Sequence, residues 1–311
     1  MRPGETSARG SRQQSKPRDN SMPRICRAHE GDGMGLAYMV ALDIDGTLLR
    51  TGEPVPEVTV QAVKRARAAG HHVILASGRS LVGVLPVANQ LGITNGRVVA
   101  SNGAVTARLT PGASAGFVLE HVLRFDVGPV IDLALRLLPG ARIGVEETGV
   151  GYWVNHLFEP DQINGAQRIV DRDTLERLLS ARLIVQADDV HSIVDELRAL
   201  RVTVNRVGDG WLDVTPAGRS KATALEKVRA DLGVLPEHTV AVGDGMNDAE
   251  ALVWAAHGVA MAHAPDALKA IADHVTGTID DHGVVPVLRS LVFGTVDGRR
   301  PLCRPLSTSL T

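Results

Sequence analysis

Short apolar runs alternate along the chain with stretches of helical periodicity, and each run ends abruptly in small or acidic residues. The runs occupy residues 36–42, 73–76, 98–100 and 240–242, and the helical stretches occupy residues 57–69, 80–91 and 220–232. Short apolar runs bounded by turn residues are typical of strands buried on both faces of a parallel sheet. Strands that alternate with helices predict an α/β fold built on a doubly wound parallel sheet.

This alternation breaks in the middle of the chain, where strand-like and helical runs are mixed. The strand-like runs occupy residues 116–122, 181–186, 201–207 and 211–214, and the helical runs occupy residues 129–138, 171–179 and 190–200. The pattern predicts an inserted α+β domain at 107–214, between two parts of one core at 36–106 and 215–296. Residues 1–35 and 297–311 have no periodicity, so we expect a disordered N-terminal tail and a polar C-terminal tail.

The composition is that of a globular protein. The chain has 311 residues, 44% of them apolar and 22% charged, and its length suggests roughly two domains. The formal net charge of −2 provides no global basic field for a nucleic acid or an anionic membrane. No apolar run approaches the roughly 18 residues of a membrane span. We therefore expect a cytoplasmic protein that acts on a small molecule, as a monomer or a small homo-oligomer.

The cysteines add little chemistry. Cys26 and Cys303 lie near opposite ends of the chain. With this spacing they cannot form a cysteine-based metal site or staple a core. Their number and position favour a protein of a reducing compartment.

Polar side chains follow the predicted strands, at the end of the sheet where ligands bind in this class of fold. The first run ends in Asp43 and Asp45, which are separated by one residue. Where a strand ends and the chain bends, both carboxylates can face one ligand and can divide the roles of nucleophile and acid/base. A calcium loop is excluded because Leu48 and Pro54 stand where glycine and glutamate are needed. A turn without function is the alternative.

A second acidic segment follows the last run. Residues 243–248 read GDGMND and place Asp244, Asn247 and Asp248 within five positions. Oxygen-bearing side chains in such a cluster favour a hard cation of the Mg²⁺ type. The alternative is a turn in which Asn247 or Asp248 caps the next helix.

Two weaker signals concern anion binding. Ser77 and Gly78 lie at a strand-to-helix junction, where a hydroxyl and backbone N–H groups can bind an anion, although a helix cap is equally consistent. Lys221 lies at the start of a helical stretch, where a cation opposes the helix dipole. A bound anion would offset this unfavourable interaction. The alternative is a lysine that is solvated at the surface.

Taken together and in this order, these segments resemble the four motifs of the haloacid dehalogenase superfamily of phosphohydrolases. They read DIDGTL at 43–48, SGR at 77–79, TPAGRSK at 215–221 and GDGMND at 243–248. The resemblance extends over residues 38–293 and, with the stretch 273–284, is strongest to the Cof-type branch. It implies a Rossmann-like core and a hydrolase that uses Mg²⁺.

The resemblance also implies a role for each matching residue. Asp43 would attack phosphorus and form an aspartyl-phosphate, and Asp45 would protonate the leaving alcohol and then activate water. Asp43, Asp244 and the backbone carbonyl of Asp45 would hold Mg²⁺, and Asp248 would orient the waters of the metal or Lys221. Mg²⁺ and a lysine would offset the repulsion between a carboxylate and a phosphate dianion. The phosphoryl oxygens would be bound by Ser77, Gly78, Lys221 and Asn247.

The insertion lies between the second and third motifs, as in the C2-capped families, and its length and mixed character resemble the C2B type. Such a cap closes over the site, excludes water and selects the leaving group. The two aromatic candidates in the cap suit a buried cap core equally well. The candidate substrate contacts are Glu146, Glu147, Tyr152, Trp153 and Asn155.

One position departs from the family pattern. His263 stands where relatives commonly have asparagine in a G-N-A sequence. It indicates either a change in leaving-group recognition or an exposed histidine without a role.

The sequence therefore predicts a Mg²⁺-dependent hydrolase for the phosphate monoester of a small metabolite, such as a sugar phosphate. Two alternatives remain. A phosphomutase of the phosphomannomutase type shares the DxDGTL start and a C2B cap, and a non-catalytic sensor would keep the phosphate site without turnover. Because the motifs address the phosphoryl group alone, the leaving group is not identified.

Overall fold

The computed structural model describes residues 37–160 and 162–293. The predicted tails, with Cys26 and Cys303, lie outside the described residues, and so do residues 36 and 294–296 of the predicted core. The strands are β1 (Met39–Leu42), β2 (His72–Ala76), β3 (Gly96–Ala100), β4 (Val105–Leu109), β5 (Phe117–Val122), β6 (Phe125–Asp126), β7 (Arg142–Glu147), β8 (Gly151–Val154), β9 (Ala166–Ile169), β10 (Leu179–Ser180), β11 (Leu183–Gln186), β12 (Val202–Arg206), β13 (Trp211–Pro216), β14 (Thr239–Gly243), β15 (His257–Ala260) and β16 (His274–Val275).

The helices lie close to the stretches predicted from periodicity. Across the described ranges, no helix is both long enough and apolar enough to cross a membrane. The α-helices are α1 (Glu57–Ala68), α2 (Leu81–Gln90), α3 (Gly128–Leu137), α4 (Arg172–Glu176), α5 (Val194–Ala199), α6 (Lys221–Leu232), α7 (Ala249–Trp254), α8 (Asp266–Ile271) and α9 (Val284–Phe293).

Within the described residues, eight strands form a large sheet in the order β16-β15-β14-β1-β2-β3-β4-β5. Neighbouring strands from β16 to β3 are parallel, and β4 and β5 add antiparallel strands at one edge. In this register Leu42 lies between Val242 of β14 and Leu75 of β2. The polar segments that follow these strands are therefore brought to one edge of the sheet.

Both faces of the large sheet are buried, because alternate residues of β1 point to opposite sides. Val40 and Leu42 pack in a cluster with residues of α1, α2 and α9. Met39 and Ala41 pack in a second cluster with residues of α6, α7 and α8. Burial on both sides explains why the run contains no polar residue. This arrangement agrees with the predicted doubly wound sheet.

Six further strands of the described chain form a second sheet in the order β12-β13-β11-β7-β8-β9. Its pairs are antiparallel except for β8 and β9. One face packs against α3, α4 and α5 through residues such as Ile131, Leu175 and Leu197. The other face carries a smaller cluster that includes Tyr152 and Ile184. The inserted segment therefore has a hydrophobic core of its own.

The structure shifts the expected start of the insertion. Position 107 lies within β4, which pairs with β3, and the predicted strand at 116–122 is β5, which pairs with β4 in the large sheet. Periodicity identifies a strand but not the sheet that it joins, so the sequence could not separate these strands from the insertion. The division of the chain into separate core and cap domains stays a prediction.

Candidate active site

The carboxyl ends of four neighbouring strands carry polar segments, and three of these segments contain residues singled out in the sequence. Asp43 follows β1, Ser77 follows β2, Ser101 follows β3, and Asp244 follows β14. Because these strands are parallel neighbours, side chains far apart in the sequence meet at one edge of the sheet. This is the edge at which α/β sheets bind ligands.

A buried chain of ion pairs joins three of the motifs. Lys221, the first residue of α6, is 1% exposed, and its Nζ donates to Asp43 Oδ1 at 2.5 Å and to Asp248 Oδ1 at 2.6 Å. Oδ2 of Asp248 accepts from the backbone N–H groups of Asp244 at 3.1 Å and Gly245 at 3.0 Å. Two carboxylates thus offset the unfavourable position of a cation at a helix start. Because both of its oxygens accept hydrogen bonds, Asp248 is placed to orient Lys221.

The buried ion-pair cluster contains more carboxylates than ammonium groups and therefore has an excess of negative charge. Burial raises the pKa of Asp43 well above its usual value, and the charges of Asp248 and Asp244 add to this, while Lys221 opposes it. Burial lowers the pKa of Lys221, but the carboxylates of Asp248 and Asp43 outweigh it and hold the pKa above its ordinary value. Burial and the charge of Asp248 also raise the pKa of Asp244. A bound cation would relieve this repulsion.

Three carboxylates are close enough to hold a metal ion. One oxygen each of Asp43, Asp244 and Asp248 lies within 4.8 Å of the others. Hard cations such as Mg²⁺ prefer oxygen ligands of this kind. Burial is the largest cause of the raised pKa values of Asp43 and Asp244, and a cation beside these carboxylates would favour their ionised forms. The donor set therefore fits a divalent cation.

Asp244 is positioned by the segment that follows β1. Oγ1 of Thr47 donates to Asp244 Oδ1 at 3.1 Å. Gly46 has a φ of +75°, and a Cβ at this position would lie 2.2 Å from Asp244 Oδ2. Glycine adopts this backbone conformation without strain and leaves room for the carboxylate. Gly46 leaves the space in which the Asp244 carboxylate lies, and Thr47 donates a hydrogen bond to it.

Gly46→Ala is expected to displace the Asp244 carboxylate. We expect the Mg²⁺ concentration for half-maximal activity to rise by about 10- to 100-fold, as is typical when the surroundings of a metal ligand are disturbed. Gly52→Ala is the matched control, because Gly52 has a φ of +84° but nothing lies within 4 Å of an added Cβ. A Mg²⁺ titration of both variants measures the difference, and equal Mg²⁺ requirements would contradict this role of Gly46.

Asp45 is held by an arginine. Nε and Nη2 of Arg79 donate to Asp45 Oδ2 at 2.7 Å and Oδ1 at 2.6 Å, and Thr51 Oγ1 donates to Oδ1 at 2.7 Å. Partial burial raises the pKa of Asp45, but the bonds and charge of Arg79 and the bond from Thr51 together hold it below its usual value. A carboxylate with a low pKa is a poor proton donor. An acid role for Asp45 therefore requires Arg79 to loosen its contact when substrate binds.

Arg79→Gln is expected to raise the pKa of Asp45 toward that of an ordinary carboxyl, because the variant loses both the cation and its paired hydrogen bonds. The measurement is the carboxyl ¹³C chemical shift of Asp45 followed through a pH titration in the absence of metal. Arg136→Gln is the control, since Arg136 is exposed on α3 and pairs with Asp132. If Asp45 titrates with the same pKa in Arg79→Gln and in the wild type, the paired hydrogen bonds from Arg79 do not lower the pKa of Asp45.

The predicted phosphate-binding residues lie beside one another. Ser77 is 1% exposed, and its Oγ accepts from the Arg79 N–H at 3.1 Å. Asn247 Nδ2 donates to Asn102 Oδ1 at 3.0 Å. The amide of Asn102 would lie 3.2 Å from a Cβ on Gly78. The structure thus brings Asn247 close to the segment after β2, with Asn102 between them.

Two of the five cap candidates lie on the face of the second sheet that faces away from its helices. Glu146 and Tyr152 are cross-strand neighbours on β7 and β8, and both are buried. Oε2 of Glu146 accepts from Ser101 Oγ at 2.6 Å, and the Tyr152 hydroxyl is hydrogen bonded to Arg182. Burial raises the pKa of Tyr152 to about 12. The bond between Glu146 and Ser101 therefore brings the second sheet to the edge of the large sheet that carries the site.

The other three cap candidates are placed elsewhere. Strand alternation directs Glu147 and Trp153 to the helix-covered face, and Trp153 packs there with the Arg168 guanidinium 4.3 Å from its ring centroid. The amide of Asn155 accepts from the N–H of residue 143 at 2.7 Å and donates to the carbonyl of residue 141 at 2.9 Å. Packing engages Trp153, backbone hydrogen bonds engage Asn155, and strand alternation turns Glu147 to the helix-covered face, so substrate contact at these three positions stays a prediction.

His263 lies beside the acidic cluster. Its Nδ1 accepts from the Ile279 N–H at 3.3 Å, and its Nε2 lies 3.7 Å from Asp244 Oδ2. The side chain is 32% exposed. The structure therefore places His263 at the rim of the metal-ligand candidates and not at the cap contacts.

No role was predicted from the sequence for several residues that position the site. Arg79 and Asn102 stand in polar segments at the ends of β2 and β3, and the position of these segments predicts that they meet at the site but not which contacts their side chains make. Arg182 and Asp213 form an ion pair of 2.7 Å on the buried face of the second sheet. They lie within largely apolar strand-like runs, and the sequence offers no signal for their pairing.

Comparison with known proteins supplies the family. A family model described as haloacid dehalogenase-like hydrolase matches residues 40–113 and 154–288, which is more than half of the chain. The chain belongs to the haloacid dehalogenase-like hydrolases. The superfamily predicted from the motifs is thereby confirmed, and so is its membership of an enzyme family.

Relatives of this haloacid dehalogenase-like hydrolase include two proteins of Bacillus subtilis. The 5-amino-6-(5-phospho-D-ribitylamino)uracil phosphatase YitU is 28% identical over 263 residues, which cover 81% of this chain and 96% of the relative. The phosphatase YwpJ is 26% identical over 298 residues, which cover 82% of this chain and 99% of the relative. These proteins match the chain over nearly their whole length.

Solved structures share the fold. A haloacid dehalogenase-like hydrolase from Bacteroides thetaiotaomicron is 26% identical, with a TM-score of 0.69, and the match covers 81% of this chain and 98% of that chain. A sugar phosphatase of haloacid dehalogenase subclass IIB is 22% identical, with a TM-score of 0.69 and the same coverage. The predicted α/β fold class is confirmed.

Proposed function

We propose that this hydrolase cleaves the phosphate monoester of a small metabolite, such as a sugar phosphate, with Mg²⁺ as its cofactor. The observation that carries the proposal is the buried Asp43 carboxylate at the end of β1, bound by Lys221 and close to Asp244 and Asp248. The names of the relatives support a phosphatase. YitU acts on a substrate with a phosphorylated ribityl chain, which supports a polyhydroxylated leaving group here.

Asp43 is the proposed nucleophile. Its carboxylate oxygen attacks phosphorus, the bond from phosphorus to the ester oxygen breaks, and an aspartyl-phosphate forms on Asp43. Lys221, whose pKa is raised, stays protonated through this step and offsets the charge that builds on the phosphoryl oxygens. Asp248 keeps the ammonium in place with a hydrogen bond of 2.6 Å.

Asp45 is the proposed acid and base. It gives a proton to the departing alcohol oxygen, and it then takes a proton from the water that attacks the aspartyl-phosphate. Inorganic phosphate leaves, and the Asp43 carboxylate is restored. The Arg79 contact holds Asp45 ionised before substrate binds, and its loosening would let Asp45 take up a proton from water before giving it to the leaving oxygen. The proton taken from the attacking water then restores the acid form.

The remaining residues bind and orient. Ser77 and Asn247 lie where they can donate to phosphoryl oxygens, with the backbone at Gly78 beside them. Asp43, Asp244 and the backbone carbonyl of Asp45 are the proposed holders of Mg²⁺. The metal, when bound, supplies positive charge that reduces the repulsion between the carboxylate and the phosphate dianion.

Release of inorganic phosphate tests the proposal. A panel of sugar phosphates, phosphorylated acids, flavin mononucleotide, pyridoxal phosphate and an aryl phosphate would be incubated with Mg²⁺ and, separately, with a chelator. We expect release that depends on Mg²⁺, with the best panel member giving the substrate class. Isomerisation that needs a bisphosphate activator would favour the mutase, and tight binding without release would favour the sensor, and either result would contradict the hydrolase.

A further inference from the structure

A short turn after β3, Ser101–Gly103, contacts each segment of the proposed phosphate site. The Ser101 N–H donates to the Arg79 carbonyl at 2.8 Å, and the Asn102 N–H donates to the Ser77 carbonyl at 3.1 Å. A Cβ at Gly103 would lie 2.1 Å from the carbonyl oxygen of the residue before Lys221. Together with the bond between Asn102 and Asn247, these contacts make the turn the part that aligns the phosphate-binding groups.

The backbone of this turn needs support from its surroundings. Ser101 has a φ of +50° and Asn102 a φ of +51°, so two consecutive residues other than glycine are left-handed. L residues seldom adopt this conformation, and two in succession persist only where neighbouring groups hold them. The bonds from the core fix the backbone, and the Ser101 side chain needs a partner of its own.

The partner of Ser101 comes from the second sheet. Oε2 of Glu146 accepts from Ser101 Oγ at 2.6 Å, and both side chains are buried. The Glu146 backbone is fixed in its own sheet, because its N–H donates to the Arg182 carbonyl at 3.0 Å and its carbonyl accepts from Ser180 Oγ at 2.8 Å. One side chain therefore ties the inserted sheet to the turn.

We propose that Glu146 is a positioning residue that makes phosphate binding depend on contact between the inserted sheet and the core. By binding Ser101, Glu146 holds the Ser101–Gly103 turn in the conformation that aligns Ser77, Asn247 and Lys221. The inference rests on the proposed function in that it takes these groups to be the phosphate site. When the inserted sheet moves away, the turn loses this partner and affinity for the phosphoryl group falls.

Two measurements that need no turnover test this role. Calorimetry with inorganic phosphate and Mg²⁺ gives the affinity of the site, and amide hydrogen exchange of peptides covering residues 77–81 and 101–104 reports on the turn. The variants are Glu146→Ala, Glu146→Gln and Ser101→Ala, with Glu196→Gln as control because Glu196 is exposed on α5. The Glu146→Gln variant keeps the side-chain volume if the alanine variant folds poorly.

We expect Glu146→Ala and Ser101→Ala each to weaken phosphate binding by about tenfold, a typical coupling between two parts of a protein. The double variant should bind no more weakly than either single variant, because both remove the same contact. Exchange should quicken in the two peptides and stay unchanged in the second sheet. In Glu146→Gln, whose amide oxygen still accepts from Ser101, the loss should be smaller than in Glu146→Ala.

Two results would overturn the proposal. One is phosphate affinity equal to that of the wild type in Glu146→Ala and Ser101→Ala. The other is faster exchange throughout the second sheet, which would make Glu146 a general support of that sheet. If the proposed function is wrong and this inference is right, the wild type would bind phosphate with the same dependence on Glu146 but would hydrolyse no ester.

Discussion

Replacing Asp43 with asparagine is expected to abolish hydrolysis while leaving the fold at least as stable as the wild type. The variant removes the attacking oxygen, and loss of a nucleophile lowers kcat by about four orders of magnitude or more. Burial and the charges of Asp248 and Asp244 already disfavour the ionised form of Asp43, which its raised pKa expresses. A neutral side chain of the same shape therefore removes repulsion at this position.

The measurements are phosphate release with the best substrate and the free energy of unfolding in denaturant, both beside the wild type. Asp195→Asn is the control, because that carboxylate is 91% exposed on α5. Residual activity of Asp43→Asn within tenfold of the wild type would remove Asp43 from the nucleophile role. A large loss of stability would show that the inactivity comes from misfolding.

Replacing Lys221 with methionine is expected to have the second-largest effect and to destabilise the fold. The variant leaves two buried carboxylates, Asp43 and Asp248, without the cation that donates to both. Removal of one partner from a buried ion pair costs about 3–5 kcal/mol. Lys227→Met is the matched control, because Lys227 is exposed on the same helix. Urea unfolding at neutral pH without metal measures the difference.

The destabilisation should depend on pH in a definite direction. A carboxyl whose pKa is higher in the folded than in the unfolded state binds protons preferentially when folded, so its penalty is present at neutral pH and declines as the pH falls through the folded pKa. Loss of Lys221 removes the group that lowers the pKa of Asp43, so this behaviour is stronger in the variant. The difference in unfolding free energy between the variant and the wild type should therefore become smaller as the pH falls from neutral through the raised pKa of Asp43. A gap that widens on acidification would contradict the ion-pair account.

The large sheet could be predicted from the sequence because its strands are buried on both faces. Residues 39–42 are apolar at every position, and the helices on either side accept alternate side chains. The same reasoning placed Asp43, Ser77 and Asp244 together, since parallel strands end at one edge of the sheet. Strand order could not be predicted from the sequence. The predicted start of the insertion at 107 consequently divides β4 and assigns β5 to the insertion, whereas both strands belong to the large sheet.

The contacts made by individual side chains could not be predicted in the same way. Which face of a strand Glu147 or Trp153 occupies depends on register, and a shift of one residue exchanges the faces. The hydrogen bonds from Arg79 to Asp45 and the contact between Glu146 and Ser101 join residues from different elements. No spacing rule connects such pairs, so they emerge only when the chain is folded.

In the proposed mechanism Asp43 receives the phosphoryl group, and trapping of the phosphorylated enzyme tests this directly. Asp45→Asn should slow hydrolysis of the intermediate, while an aryl phosphate, whose leaving group needs little protonation, still phosphorylates the enzyme. After acid quenching and proteolysis, mass spectrometry should find one phosphoryl group on Asp43, sensitive to hydroxylamine and absent from the variant that also carries Asp43→Asn. Turnover by the wild type with no phosphoryl group on Asp43 in the Asp45→Asn variant would contradict the account.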